Sequence, residues 1–239
     1  MIETKHIVSS FDNDLETIQA LVMRMGGLVE EALRDASMAL ETRDAELAER
    51  VRQGDHAIDE LDELVKTDTA KVLALRSPSA TDLRTVLTVI SISNSLERCG
   101  DLAKNIAKRV PILVDSGMVE DNRSSLRRMA RHVGEMLSDS LDSYIHRDVD
   151  RANDIVLRDE DADHMYNVIF RSLLTHMMED PRNITAGMHL HFIAKNIERI
   201  GDHATAIAEQ TMYLVTGNLP DEDRPKRDLT EAGTAQADG

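Results

Sequence analysis

Two glutamate–aspartate pairs, Glu97 with Asp101 and Glu198 with Asp202, sit in segments that read almost alike: SLERCGDLAKNIAKR over 95–109 and NIERIGDHATAIAEQ over 196–210. Carboxylates four residues apart lie one above the other on a helix and repel by about 0.2–0.5 kcal/mol. Asp55 with Asp59 and Asp159 with Asp163 repeat the spacing. Four such pairs cost about 1–2 kcal/mol against a total stability of about 5–15 kcal/mol. A divalent or trivalent cation reverses the sign, because carboxylates at this spacing reach one hard ion. The bland alternative is a solvated acidic surface in which such pairs arise by chance.

The elements that must position these acids are helices. Ile92, Leu96, Cys99, Ala103, Ile106 and Val110 step by four and three, as do Ile193, Ile197, Ile200, Ala204 and Ile207, so each set is a core-facing seam. Glu97, Asp101 and Asn105 fall roughly opposite the first seam. The same line begins with Leu83, Leu87, Ile90 and Asn94, which makes it a contact surface that turns acidic. In the second copy it reads His191, Lys195, Glu198, Asp202 and Ala206.

Helical periodicity extends over nearly the whole chain. Expected helices run over about 14–41, 45–75, 80–110, 124–147, 148–178 and 183–215, with Pro78 and Pro181 punctuating the two halves alike. Pro111 and DSGMVEDNRS (115–124) read as a linker. The halves align position by position: Arg43-Asp44 with Arg147-Asp148, Ala48 with Ala152, Val51 with Ile155, Asp55 with Asp159, and Asp59 with Asp163. Short connections favour antiparallel neighbours. The expected fold is all-α: two tandem three-helix bundles over 1–114 and 115–217, then a disordered polar tail over 218–239.

Composition narrows the partners. Aromatics are 3% of the chain, Trp is absent, and Gly and Pro number 11 and 5, which suits long packed helices. A net charge of −16 argues against nucleic acid and against anionic lipid. A lone Cys99, no signal-peptide pattern in MIETKHIVSSFDNDL and no apolar run of about 20 residues predict a cytoplasmic chain without membrane insertion.

SLERCGDLAKNIAKR and NIERIGDHATAIAEQ resemble the paired signatures of the PhoU family of bacterial phosphate-signalling regulators. RSPSATDLR (76–84) is similar to that family's turn between its second and third helices, and HLHFIAKNIERIGDHAT (189–205) is the nearest match. The resemblance covers Phe11 to Val215. It implies a homodimer of two three-helix bundles whose acidic motifs bind a multinuclear metal cluster in some members, iron first among Fe, Zn, Mn and Mg. The ligands it implies here are Asp55, Asp59, Glu97, Asp101, Asn105, Asp159, Asp163, Glu198 and Asp202. Ala206 departs from the pattern where the family often has Asn, which makes the second site the weaker. The implied role is negative regulation of phosphate uptake and phosphate-starvation signalling. It would work without enzymatic activity, as an adaptor between the ATPase subunit of the phosphate ABC transporter and the sensor histidine kinase PhoR.

Other residues carry less. His203 projects off the acid line by about 100°. His189 and His191 suit partner contact, and Asp161–His164 has no second copy to complete a di-iron site. Cys99 belongs to the core, and Gly26-Gly27 lacks the Lys-Ser/Thr of a phosphate-binding loop. Rival readings are a carboxylate-bridged metalloenzyme, which needs an open coordination position beside a cavity, and a plain structural scaffold.

Overall fold

The computed structural model describes residues 2–76 and 80–219, with side chains from Asn13 onward except at 76–81 and 118–121. Six long helices follow one another: α1 (Ile2–Thr42), α2 (Ala45–Arg76), α3 (Ala80–Ala107), then, after the four-residue α4 (Val110–Leu113), α5 (Gly117–His146), α6 (Val149–Glu179) and α7 (Ile184–Thr216). The described residues contain no strand.

The turns show the duplication at atomic level. Arg43 and Arg147 both adopt left-handed backbone, with φ of 60° and 53°. The aspartate after each then starts the next helix. Asp44 Oδ1 accepts from the amides of Glu46 and Leu47, each at 2.9 Å, and Asp148 Oδ1 accepts from the Arg151 amide at 3.0 Å. These are N-caps satisfying donors that the helix cannot.

Helices α1, α2 and α3 pack on one another, as do α5, α6 and α7. The stripe Ile18, Val22, Met25, Val29, Leu33, Ala36 and Leu40 buries one face of α1, as its three-and-four spacing requires. Both expected core seams are buried, the first on α3 with its last residue, Val110, in α4, and the second on α7. The halves also share a core, since α3 lies along α7 and α1 along α5. Gly26 permits the second approach: a Cβ there would stand 2.5 Å from Leu141 Cδ1. Arg109 lies over the Phe192 ring at 5.0 Å and Arg84 over Tyr213 at 5.7 Å, while Arg127 pairs with Glu41 at 2.8 Å.

Several boundaries differ from the periodicity reading. α1 begins at Ile2 instead of near Asp14, and the helix expected to reach Val110 ends at Ala107. Val110 and Leu113 are buried anchors of α4, which tolerates Pro111 in its first turn. The expected 115–124 linker is helical from Gly117. Asn122 there is buried and accepts from Ser172 Oγ at 3.4 Å, so this one polar side chain is drawn into the bundle. The Pro78 break and all of the tail beyond Leu219 lie outside the described residues. No described helix is long and apolar enough to cross a membrane.

Candidate functional site

The α2–α3 boundary carries the first acidic seam. Asp55 is 4% exposed, on the α2 face turned toward α3. Gly100 allows this: a Cβ at that position would meet Ile58 Cδ1 at 3.0 Å and Asp55 Oδ1 at 3.3 Å. The Lys104 ammonium, from α3, donates to Asp55 Oδ2 at 2.5 Å and lies 3.4 Å from Asp101 Oδ1. Along the same boundary Asp62 is buried and accepts from Ser93 Oγ at 2.7 Å and from Lys66 Nζ at 2.5 Å.

The charges feel one another. Burial raises the Asp59 carboxyl above its ordinary value, and Asp55 and Asp101 raise it further against the pull of Lys104. Burial also raises Glu97, opposed by Arg98 and reinforced by Asp101, Asp62 and Asp59. The Lys104 ammonium is held above the ordinary lysine value, chiefly by its hydrogen bond to Asp55. Acids from two helices therefore share one field. Asn105, by contrast, is exposed, and its backbone carbonyl accepts from Arg109 at 3.4 Å.

The second seam lies between α6 and α7. Glu198 is 8% exposed and accepts from Lys195 Nζ at 2.7 Å. Burial raises the Glu198 carboxyl; Lys195 opposes the shift, and Asp202 and Asp163 add to it. Asp159 Oδ1 would lie 3.8 Å from a Cβ on Gly201, so Asp159 faces Gly201 as Asp55 faces Gly100. Asp159, Asp163 and Asp202 are partly buried. Lys195 stands over the Tyr166 ring at 5.0 Å, a cation–π contact. His191 touches Tyr166, Phe170 and Phe192, with ring centroids 5.9, 5.2 and 5.6 Å away.

Carboxylate oxygens are the right chemistry for a hard cation. Their placement does not make a site as it stands: among the described residues no three His, Cys, Asp or Glu side chains group closely enough to hold a metal ion. A lysine ammonium stands beside the buried carboxylate of each seam. Asp55 Oδ1 and Glu198 Oε2 are buried without a hydrogen-bond partner.

Lys104, Asp62, Ser93 and Tyr166 escaped the sequence reading. Asp62 extends the Asp55–Asp59 line by three, and Lys104 follows Asp101 by three, so both were findable by continuing the same face. Ser93 and Tyr166 carry no such signal. His203 is partly buried, its imidazole held low by burial and by Arg199 and Arg98, with Asp202 opposing; it lies on the α3–α7 side. Cys99 is buried in the core.

The family model described as "PhoU domain" matches residues 22–110 and again 126–211. The chain is 45% identical over 226 residues to a phosphate-specific transport system accessory protein PhoU homolog of Caulobacter vibrioides, covering 95% of this chain and 98% of that one. It is 44% identical to the like-named homolog of Rhizobium meliloti, covering 94% and 95% of the two chains. The crystal structure of PhoU from Pseudomonas aeruginosa superposes with a TM-score of 0.84 at 35% identity, covering 87% of this chain and 100% of that one. The phosphate transport system regulatory protein PhoU from Streptococcus pneumoniae gives 0.82 at 32%, covering 88% and 99%.

Proposed function

The chain belongs to the PhoU family, and from that membership we propose that it is a negative regulator of phosphate uptake and phosphate-starvation signalling. Its relatives are named as accessory and regulatory proteins of phosphate transport. In this reading the chain works as a homodimer at the cytoplasmic face. It bridges the ATPase subunit of the phosphate ABC transporter and the sensor histidine kinase PhoR, and it catalyses no reaction.

One observation supports the adaptor reading above the others: each half sets an acidic seam on the same helix as exposed apolar side chains. On α3 these are Leu83 and Leu87, 40% and 44% exposed. On α7 they are Ile184, Met188 and Phe192, 40–48% exposed. A surface with apolar anchors and charged neighbours is how transient interfaces gain both affinity and orientation. The seams act as docking surfaces in this reading whether or not they hold a metal. An enzyme would place its acids beside a cavity. The cavities lined by Tyr144 and Arg147, and by Met38 and Arg131, include none of the seam carboxylates in their walls.

The test joins binding to genetics. The full chain is immobilised against the transporter ATPase subunit and the cytoplasmic part of the kinase, both from the same organism. We expect retention of both, lost in Leu87→Asp and Phe192→Asp, and constitutive expression of a phosphate-starvation reporter when the gene is deleted. No retention, together with a reporter that still responds normally to phosphate after deletion, would rule the role out.

A further inference from the structure

Each acidic seam contains a lysine, and the two lysines come from different places in the repeat. Lys104 follows Asp101 by three and reaches across from α3 to Asp55 on α2. Its counterpart in the second half is Thr205, which is buried and donates to the Gly201 carbonyl at 3.1 Å. Lys195 precedes Glu198 by three on α7 itself. Its counterpart in the first half is Asn94, which is exposed. The ammonium is thus not a residue shared by both copies. Each half supplies one by its own route and brings it to the most buried carboxylate of its seam.

The bonding is alike at the two seams. One oxygen of the buried carboxylate takes the ammonium, at 2.5 Å for Asp55 Oδ2 and 2.7 Å for Glu198 Oε1. The other, Asp55 Oδ1 or Glu198 Oε2, is buried with no hydrogen-bond partner. The ammonium offsets part of the charge that the two oxygens share, and the second oxygen, buried without a protein donor, is still open to a further donor or cation. An ammonium and a divalent ion compete for the same carboxylate, because two cations a few ångströms apart repel.

We propose that Lys104 and Lys195 are internal counterions that fill the cation positions of the two seams, so that a divalent metal enters a seam only by displacing its lysine. The claim rests on the seams themselves and is separate from the transport role. A chain that failed the binding and reporter tests above could still pass this one.

Mn2+ is the probe, added to chelator-treated full-length protein, with bound metal per chain measured after dialysis and affinity by calorimetry. The double variant Lys104→Met/Lys195→Met is expected to bind Mn2+ at least about tenfold more tightly than wild type, as removal of a nearby unit charge requires. Lys104→Arg/Lys195→Arg, which keeps the charge, should behave like wild type. Equal Mn2+ affinity in wild type and the Met variant overturns the proposal. Should the Met variant fail to fold, acetylation of wild type read by mass spectrometry decides. The expectation is that Lys104 and Lys195 react more slowly than the exposed Lys108 and become reactive only as Mn2+ binds. Mn2+ bound with both lysines still protected overturns it.

Discussion

Gly100 lies against Asp55 so closely that a single added carbon would stand 3.3 Å from the carboxylate oxygen Oδ1. The matching pair in the second half, Gly201 and Asp159, leaves 3.8 Å, and its other neighbours are at 3.5 and 3.7 Å. Both glycines are mid-helix, where alanine gains about 1 kcal/mol of helix propensity. Gly201→Ala collects that gain at ordinary contact distances. Gly100→Ala must also push aside buried Ile58 and Asp55, at an overpacking cost of about 1–3 kcal/mol. Denaturant unfolding should therefore show Gly201→Ala stabilised and Gly100→Ala destabilised by about 1 kcal/mol. Equal shifts would mean that the first seam is looser than its geometry.

Ser93 donates to buried Asp62 at 2.7 Å. Removing the hydroxyl leaves a buried carboxylate oxygen short of a donor, which costs about 1–3 kcal/mol. Ser93→Ala is expected to fall in that range by urea denaturation. Asp62→Asn, which relieves the charge while keeping an acceptor, should cost less.

Burial pushes the Tyr144 phenol up to about 12, with Arg147 pulling weakly the other way. A folded value above the ordinary 10 means that the contribution to stability is complete below pH 10 and is lost as pH rises through about 12. Absorbance titration near 295 nm should show a phenolate component with a midpoint of about 12 that Tyr144→Phe removes. Loss of near-ultraviolet dichroism should accompany that step. A midpoint near 10 for that component would contradict the burial.

The Cys99 thiol is fully buried, and burial raises it far above the ordinary thiol value. A thiolate is the reactive form. Ellman's reagent at pH 8 should label native protein only at the rate of unfolding and label denatured protein at once. Fast labelling of the native chain would place Cys99 outside the core.

Much of this was legible beforehand, for physical reasons. The seams through Leu96 and Ile197 carry the 3.5-residue period that burial imposes. Arg43-Asp44 and Arg147-Asp148 matched in sequence because the same cap recurs at the same turn. The i,i+4 spacing set Asp59 in one field with Asp55 and Asp101, and Glu198 with Asp202 and Asp163, but among the described residues it gathered no three of them closely enough to hold a metal ion. What escaped was tertiary. Lys104 reads as one more surface cation until α2 is set beside α3. The stretch after Pro111 reads as linker because its polar residues do not reveal that Asn122 is covered by α6. Asn105 was placed on the acidic line by its spacing alone, and that spacing carries nothing about which way a terminal amide turns.

Because α3 lies along α7 and α1 along α5 over one shared core, the two acidic seams are carried on one body instead of on two beads joined by a thread. Their separation is then fixed by side-chain packing, so the molecule acts as a gauge with two marks. A partner that engages both marks loses no linker entropy at the second contact, provided that its own contact points match the span. One that does not match is limited to a single seam and to the weaker grip that goes with it.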